Sequence, residues 1–289
     1  MAGEPWLTDE EFARLRALVA AESGIQIRDE RRPFVAQRLA ARLAALGAEA
    51  DPGHVAAYRK RLEGGQDRGE LLALLESLAI TETGFFRHLP QWELFSRRLL
   101  PELLAAGQRA GRRLRLWSAG CSIGAEPYTM AMLVAEGLAA AGALPSSWDV
   151  RIRASDLSLR ALAVTEAAVY PPERLAGVSP ERLARHFVRE GESYRVRDEL
   201  RRWVEVDFHN LLHPVAWPGD GRGFDAIVCR NVLIYFSEAD QAVAIRHLAA
   251  ALRPGGYLLL GPAESLLGVV DGFRFVHEAG GTAYQKVAG

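Results

Sequence analysis

The chain has 289 residues with a formal net charge of −1, and 49% of its residues are hydrophobic and 25% charged. That length suits one large domain or an ordinary domain plus a small one, and the near-neutral charge excludes a general electrostatic pull toward nucleic acid. The two cysteines, Cys121 and Cys229, make no disulfide framework and suit a reducing cytoplasm.

Other absences narrow the classes further. The amino-terminal stretch MAGEPWLTDEEF has no basic region followed by an apolar run, so no signal peptide is expected. No apolar run reaches the roughly 18 residues of a membrane span. Neither the CxxC nor the HExxH zinc spacing occurs, so no metal is expected.

In chain order, a helix over 8–22 is capped by Thr8, carries acids in its first turn, and lines up Phe12, Leu15, Leu18 and Val19. A second helix spans 32–46 with Phe34, Val35, Leu39 and Leu43 apolar, a third lies near 54–62, and a fourth covers 69–78. Residues 1–80 therefore read as a small all-helical domain, rich in alanine and arginine and poor in β-branched residues.

The pattern then changes. Strands are predicted at 114–118, 150–154, 204–208, 224–229 and 257–260, with helices over 126–141, 159–168 and 238–252 between them. Such alternation makes a mostly parallel sheet with helices on both faces. Residues 273–277 and 283–287 read as a terminal antiparallel hairpin at the sheet edge. The stretch HFVREGESYRVRDEL reads as a short β-hairpin insertion around 186–203, turning at 190–192.

The chemistry centres on LWSAGCSIGAEPY, a glycine turn between the first strand and its helix. Ligands of parallel sheets bind at the carboxyl ends of strands, where connections reverse direction. That places Gly120 and, at the end of the second strand, Asp156 as a ribose-hydroxyl acceptor. The turn is GxxxG, without GxGxxG or GK[ST], so pyrophosphate is poorly supported. Glu126 beside a helix N-terminus repels phosphate and favours an ammonium or sulfonium. A phosphate-free nucleoside with a cationic tail is S-adenosylmethionine (SAM). Taken alone, the turn is equally an ordinary strand–turn–helix, and Asp156 an ordinary helix cap. The later strands FDAIVCRN and LRPGG move the choice toward a class I SAM-dependent methyltransferase core with a Rossmann-like sheet.

The stretches TETGFFR (81–87), WSAGCSIGAEPY (117–128), ASDLS (154–158), DFHNLL (207–212), FDAIVCRNVLIYF (224–236) and LRPGGYLLLGPAES (252–265) together resemble the chemotaxis-type protein-glutamate O-methyltransferases, the CheR family. The resemblance covers nearly the whole chain. It implies a receptor-recognition domain at 1–80 and a catalytic domain at 81–289. It also implies cofactor contacts from Thr81, Thr83, Arg87, Gly120, Glu126, Asp156, Asn210, Leu211, Arg230 and Asn231. Arg87 is suited to the methionine carboxylate through its planar fork. Tyr235 matches a tyrosine near the transferred methyl. The family often has Asn where this chain has Thr81, which removes one amide contact, and Ala125 stands where an acid is common. Both cysteines read as buried fillers.

The implied reaction moves a methyl group from SAM to glutamate side chains of methyl-accepting chemoreceptors, leaving S-adenosylhomocysteine. A carboxylate of reference pKa about 4.3 is already ionised at neutral pH and needs no general base, and none of the seven histidines sits in a matching motif. Tyr235 is expected to align the acceptor by one hydrogen bond, with Arg230 steering. Receptor methylation helices are acidic, and Arg31, Arg38 and Arg42 fall on one side of the second helix, as a docking face or simply a solvated one. In some family members the β-subdomain docks a receptor pentapeptide, and the short insertion here puts that tether in doubt. The alternatives are a non-catalytic SAM-sensing adaptor, a nucleic-acid methyltransferase, disfavoured without an NPPY-like motif or basic face, and a nicotinamide oxidoreductase, disfavoured without GxGxxG. No receptor or pathway is specified by the sequence, and neither is an oligomeric state.

Overall fold

A computed structural model of the chain describes residues 4–65, 67–78, 83–215, 221–266 and 268–287. These group into two compact units, one from Met1–Ile80 with Tyr235–Gln241, the other from Thr81–Ile234 with Ala242–Gly289.

The smaller unit is helical: α1 (Asp9–Ser23), α2 (Arg32–Ala45), α3 (Pro52–Glu63) and α4 (Arg68–Leu78). Thr8 caps α1 by accepting from the Glu11 N–H at 3.1 Å, and Gly24 ends it in the left-handed conformation with φ 78°. Asp51 caps α3 by accepting from the Gly53 and His54 N–H groups. The apolar stripes expected from sequence meet in one core containing Phe12, Leu15, Val19, Val35, Leu39 and Leu43, with Leu62, Leu71 and Leu74 from the later helices.

One expectation is corrected in this unit. Arg42 does not share an exposed side with Arg31 and Arg38. Its Nε and Nη2 form a fork on the Glu70 carboxylate at 2.9 and 2.5 Å, and Tyr58 Oη donates to the same carboxylate at 2.7 Å. A buried carboxylate needs its charge matched, so this arginine is used inside the unit. Arg31 and Arg38 instead stand over the Phe34 ring, 4.7 and 5.1 Å from its centroid. The segment Tyr235–Gln241 joins this unit through the Gln26 N–H, which donates to the Tyr235 carbonyl at 2.6 Å, and an antiparallel bridge between Ile25 and Phe236.

The larger unit opens with a helical run to which the sequence assigns no element. Helices α5 (Leu89–Leu94) and α6 (Leu100–Arg109) are joined by a wider π turn over Phe95–Leu99. Pro90 and Pro101, each in the first turn of its helix, break up the sequence pattern there. Strands β1 (Arg113–Ala119) and β2 (Asp149–Asp156) flank α7 (Ala125–Ala140), and α8 (Leu159–Ala167) follows β2. A small antiparallel sheet comes next from β3 (Val169–Tyr170), β4 (Phe187–Glu190) and β5 (Ser193–Val196), in the order β3-β5-β4, with α9 (Pro180–His186) between its first two strands. The hairpin β4–β5 is the insertion read from sequence. Its third strand is two residues long and has no sequence signature.

After the short α10 (Asp198–Arg201), the chain continues through β6 (Val204–Phe208), β7 (Phe224–Cys229), α11 (Glu238–Ala251), β8 (Leu252–Leu260), β9 (Phe273–Glu278) and β10 (Gly281–Lys286). The main sheet has the order β6-β2-β1-β7-β8-β10-β9. Its first five strands are parallel and β10 is antiparallel to both neighbours. Connections run outward from β1 to one edge and then reverse to β7, so the carboxyl ends of β1 and β7 mark the topological switch point. This is a class I SAM-dependent methyltransferase fold, with the helical unit before it and the antiparallel hairpin at its end.

Strand β8 begins earlier than its apolar run. Leu252 pairs with Phe224 across a register irregularity, so the RPGG turn is a bulge inside the strand. One sheet face is apolar, with Leu114, Leu116, Val150, Ile152, Ala226 and Val228 packed into the main core. The other carries buried arginines: Arg153 stacks over Trp117 and pairs with Asp207.

Candidate functional site at the sheet switch point

The site is assembled from loops at the carboxyl ends of β1, β2, β6 and β7, together with the linker that precedes α5. The β1 turn is tightly determined. Gly120 has φ 80°, and a Cβ on it would collide with Val232 of the loop after β7. Gly124 has φ 88°, and its Cβ would lie 2.7 Å from the Tyr170 hydroxyl. That hydroxyl donates to the Ile123 carbonyl at 2.8 Å, so β3 buttresses the turn. These two positions require glycine on conformation and space alike.

Asp156 locks the turn to the end of β2. One of its oxygens accepts from the Ser122 N–H at 2.8 Å and the other from the Ser158 N–H at 2.9 Å. The hydroxyl of Ser122 is buried without a hydrogen-bond partner among the described residues. Past β6, the His209 N–H donates to the Asp156 carbonyl, and Asn210 closes a turn by accepting from the Leu212 N–H at 2.9 Å. Leu211 is buried and its carbonyl accepts from His247 Nδ1.

The charged centre is Glu126 with Arg230. The Glu126 side chain is 14% exposed, accepts from the Ser118 hydroxyl at 2.8 Å, and has Arg230 Nη1 3.8 Å away. Burial holds its carboxyl above the ordinary range, more than Arg230 and Ser118 bring it down, with Glu264 adding to the upward push. Glu126 is thus a buried carboxylate whose charge Arg230 and Arg87 offset only in part. Arg230 is almost fully buried. Its Nη2 donates to the Arg87 carbonyl at 2.6 Å, its guanidinium stands 5.1 Å from the Trp92 ring centroid, and its Nε has no partner among the described residues. Burial lowers its proton affinity, while Glu126 raises it.

Arg87 is exposed, and the residues around it hold it in place. Phe86 and His88 on either side have φ 53° and 60°. Phe86 is buried and its N–H donates to Thr129 Oγ1 at 3.2 Å. Phe85 packs edge-on against Tyr170 and Phe187 at 5.0 and 5.8 Å. Thr83 is half-buried at the start of this linker. Thr81 lies outside the described residues.

Most of the residues expected from sequence therefore converge: Arg87, Gly120, Glu126, Asp156, Asn210, Leu211, Arg230 and Asn231 share one rim. Tyr235 groups with the helical unit. Trp92 lies outside the stretches quoted from the sequence, and Ser118, Val232 and Glu264 lie inside them but had no role assigned. Both cysteines are buried, and burial pushes their thiols well above their ordinary value, as fillers rather than nucleophiles.

Residues 81–281 match the family described as "CheR methyltransferase, SAM binding domain", and residues 10–79 match "CheR methyltransferase, all-alpha domain". The chain belongs to the CheR methyltransferase family. It is 36% identical over 264 residues to the "Chemotaxis protein methyltransferase" of Escherichia coli K12, covering 90% of this chain and 85% of that one. It is 34% identical over 282 residues to the protein of the same name from Vibrio anguillarum, covering 96% and 98%. In this CheR chain, the residues at the switch point fit a SAM-binding site on chemical grounds. A buried carboxylate has its arginine only at 3.8 Å, a buried hydroxyl has no partner among the described residues, and two glycines leave the backbone open. Among the described residues, no group of three or more His, Cys, Asp and Glu side chains is placed to hold a metal, and no helix is long and apolar enough to cross a membrane.

Proposed function

We propose that this protein transfers the methyl group of SAM to glutamate side chains of methyl-accepting chemoreceptors, forming glutamate methyl esters. The observation that carries the cofactor half is Glu126, a carboxylate held above its ordinary pKa with Arg230 no nearer than 3.8 Å. An ammonium group brought to that carboxylate supplies the missing charge. When bound, SAM supplies an electrophilic methyl on a sulfonium.

The chain's own residues bind and orient. Glu126 receives the ammonium, Arg87 the methionine carboxylate, and Asp156 the ribose hydroxyls in exchange for its Ser122 contact. Asn210 and Leu211 line the adenine side, with Thr83 and Gly120 completing the pocket. Arg230 and Asn231 close the methyl end. Arg230 is buried among Glu126, Trp92 and the Arg87 carbonyl, which supports a role in fixing that end over one in gripping the acceptor. Tyr235 follows directly on this loop and is assigned one hydrogen bond to the acceptor. The acceptor carboxylate arrives ionised and needs no base. Orientation and exclusion of water provide the rate, up to about 7–11 kcal/mol from alignment.

The acceptor half is supported by the chemotaxis names of the relatives and by the Arg31–Phe34–Arg38 face of the helical unit, which suits an acidic helix. The test is incubation with methyl-labelled SAM and receptor fragments, followed by base treatment. Label released as methanol marks a carboxylate ester. Label stable to base marks nitrogen, and SAM binding without transfer marks a cofactor-sensing adaptor; either outcome overturns the proposal.

A further inference from the structure

The geometry points to Glu264 as the positioning residue of the loop that carries Arg230 and Asn231. It lies in the turn after β8, and its own N–H donates to the Gly261 carbonyl at 3.0 Å. Its carboxylate collects five backbone N–H groups: Asn231 and Gly261 on Oε2 at 3.0 and 2.6 Å, and Val232, Leu233 and Ile234 on Oε1 at 2.9, 2.8 and 3.4 Å. Strands β7 and β8 are parallel neighbours with Cys229 opposite Leu260, so their loops leave the sheet side by side. One anion thus gathers the donors of both loops, an arrangement in which each charge-assisted bond is stronger than a neutral one.

The loop needs such a clamp. Asn231 has φ 58°, a left-handed conformation that is uncommon outside glycine and that asparagine adopts more readily than most residues. Four successive N–H groups point one way, so without an acceptor they would be left to solvent. Gly261 is part of the device. A Cβ there would lie 2.6 Å from Glu264 Oε2 and 2.9 Å from the Asn231 nitrogen. Through this loop Glu264 also reaches the rest of the rim: Val232 fills the space that a Gly120 side chain would occupy, and Arg230 ties Glu126 to the Arg87 carbonyl. Glu264 therefore sets the methyl end of the pocket, while the ribose and adenine side is held separately by Asp156 and Asn210.

This inference rests on the proposed methyl transfer for its kinetic consequence and stands independently for its geometry. In Glu264→Gln, one carboxylate oxygen becomes an NH₂ group aimed at N–H donors. The expected result is a fall in kcat of about tenfold or more, with receptor KM and the S-adenosylhomocysteine Kd within about threefold of wild type. Glu264→Asp should recover part of the rate, because it keeps the charge. In the wild-type protein the amide hydrogens of Asn231, Val232, Leu233 and Gly261 should exchange slowly, and in Glu264→Gln their exchange should speed up together. Should the Gln variant fail to fold, Gly261→Ala displaces the carboxylate without removing its charge and should give the same kinetic split. Unchanged kcat overturns the inference, as does a tenfold loss of S-adenosylhomocysteine affinity or unaltered exchange at those amides. A wild-type enzyme that methylates no receptor sinks the proposed reaction instead, and leaves amide exchange to decide on Glu264.

Discussion

Two buried carboxylates, one in each unit, have opposite fates. Glu70 in the helical unit is 6% exposed at its side chain and Glu126 at the sheet rim 14%. Burial raises both, yet Glu70 ends below its ordinary value because the Arg42 fork and the Tyr58 hydroxyl outweigh desolvation. Glu126 ends above, because its arginine stands 3.8 Å off and serves the Arg87 carbonyl at the same time. A carboxylate that the fold satisfies stabilises the fold. One that it leaves short of positive charge is available to a cationic ligand.

The largest expected effect comes from removing the second of these. Glu126→Gln should weaken SAM binding by about a hundredfold, roughly 2.7 kcal/mol, because the ammonium loses its counter-charge. The melting temperature of the ligand-free protein should change little, since a costly buried charge is gone while the buried Arg230 loses its counter-charge. Calorimetric titration and a thermal scan check both halves, and a loss of stability without a loss of affinity would reverse the comparison. Glu70→Gln should do the opposite. It leaves Arg42 without its fork and should cost about 2 kcal/mol of stability by denaturant titration, with SAM affinity unchanged.

The pH dependence sharpens the same contrast. The folded pKa of Glu70 lies below its ordinary 4.5, so its stabilising contribution is full above that value and is lost as pH falls through the folded pKa. The folded pKa of Glu126 lies above 4.5, so the ligand-free fold takes up a proton there and loses stability as pH rises through that window. SAM requires the ionised form. Its affinity should therefore climb with pH across the same window, by at most about tenfold per unit, and then level off. In Glu126→Gln the climb should be absent.

How much of this was legible beforehand follows from the range of each interaction. The parallel core was readable because strands carry their own local pattern, alternating in Val204–Phe208 and apolar over most of Phe224–Cys229. Most of the rim residues were readable for the same reason, each sitting in a compact motif at a strand end. Glu264 sits in such a motif too, but its role was not legible, since it depends on N–H groups about thirty positions earlier that only the β7–β8 pairing brings alongside. The strand β3 was invisible at two residues, and the α5–α6 run was masked by its prolines. Arg42 was misplaced because helical spacing shows which side a residue takes but not that a buried Glu70 waits there.

That correction determines the smallest prediction, in which two arginines of one helix separate. Arg38 is exposed and shares the Phe34 ring with Arg31, so its charge is presented to solvent on a rigid aromatic support. Arg42 is committed to Glu70. Arg38→Glu should raise the KM for an acidic receptor fragment by about fivefold at low salt, and the difference should shrink as ionic strength rises and screening shortens the reach of the charge. Donor affinity and melting temperature should stay at wild-type values. Arg42→Glu should lower the melting temperature instead, by setting two carboxylates against each other, and any loss of receptor methylation should then follow the unfolded fraction. If Arg38→Glu leaves the receptor KM unchanged at low salt, the exposed arginines only solubilise the helix. The acceptor must then dock elsewhere on the molecule.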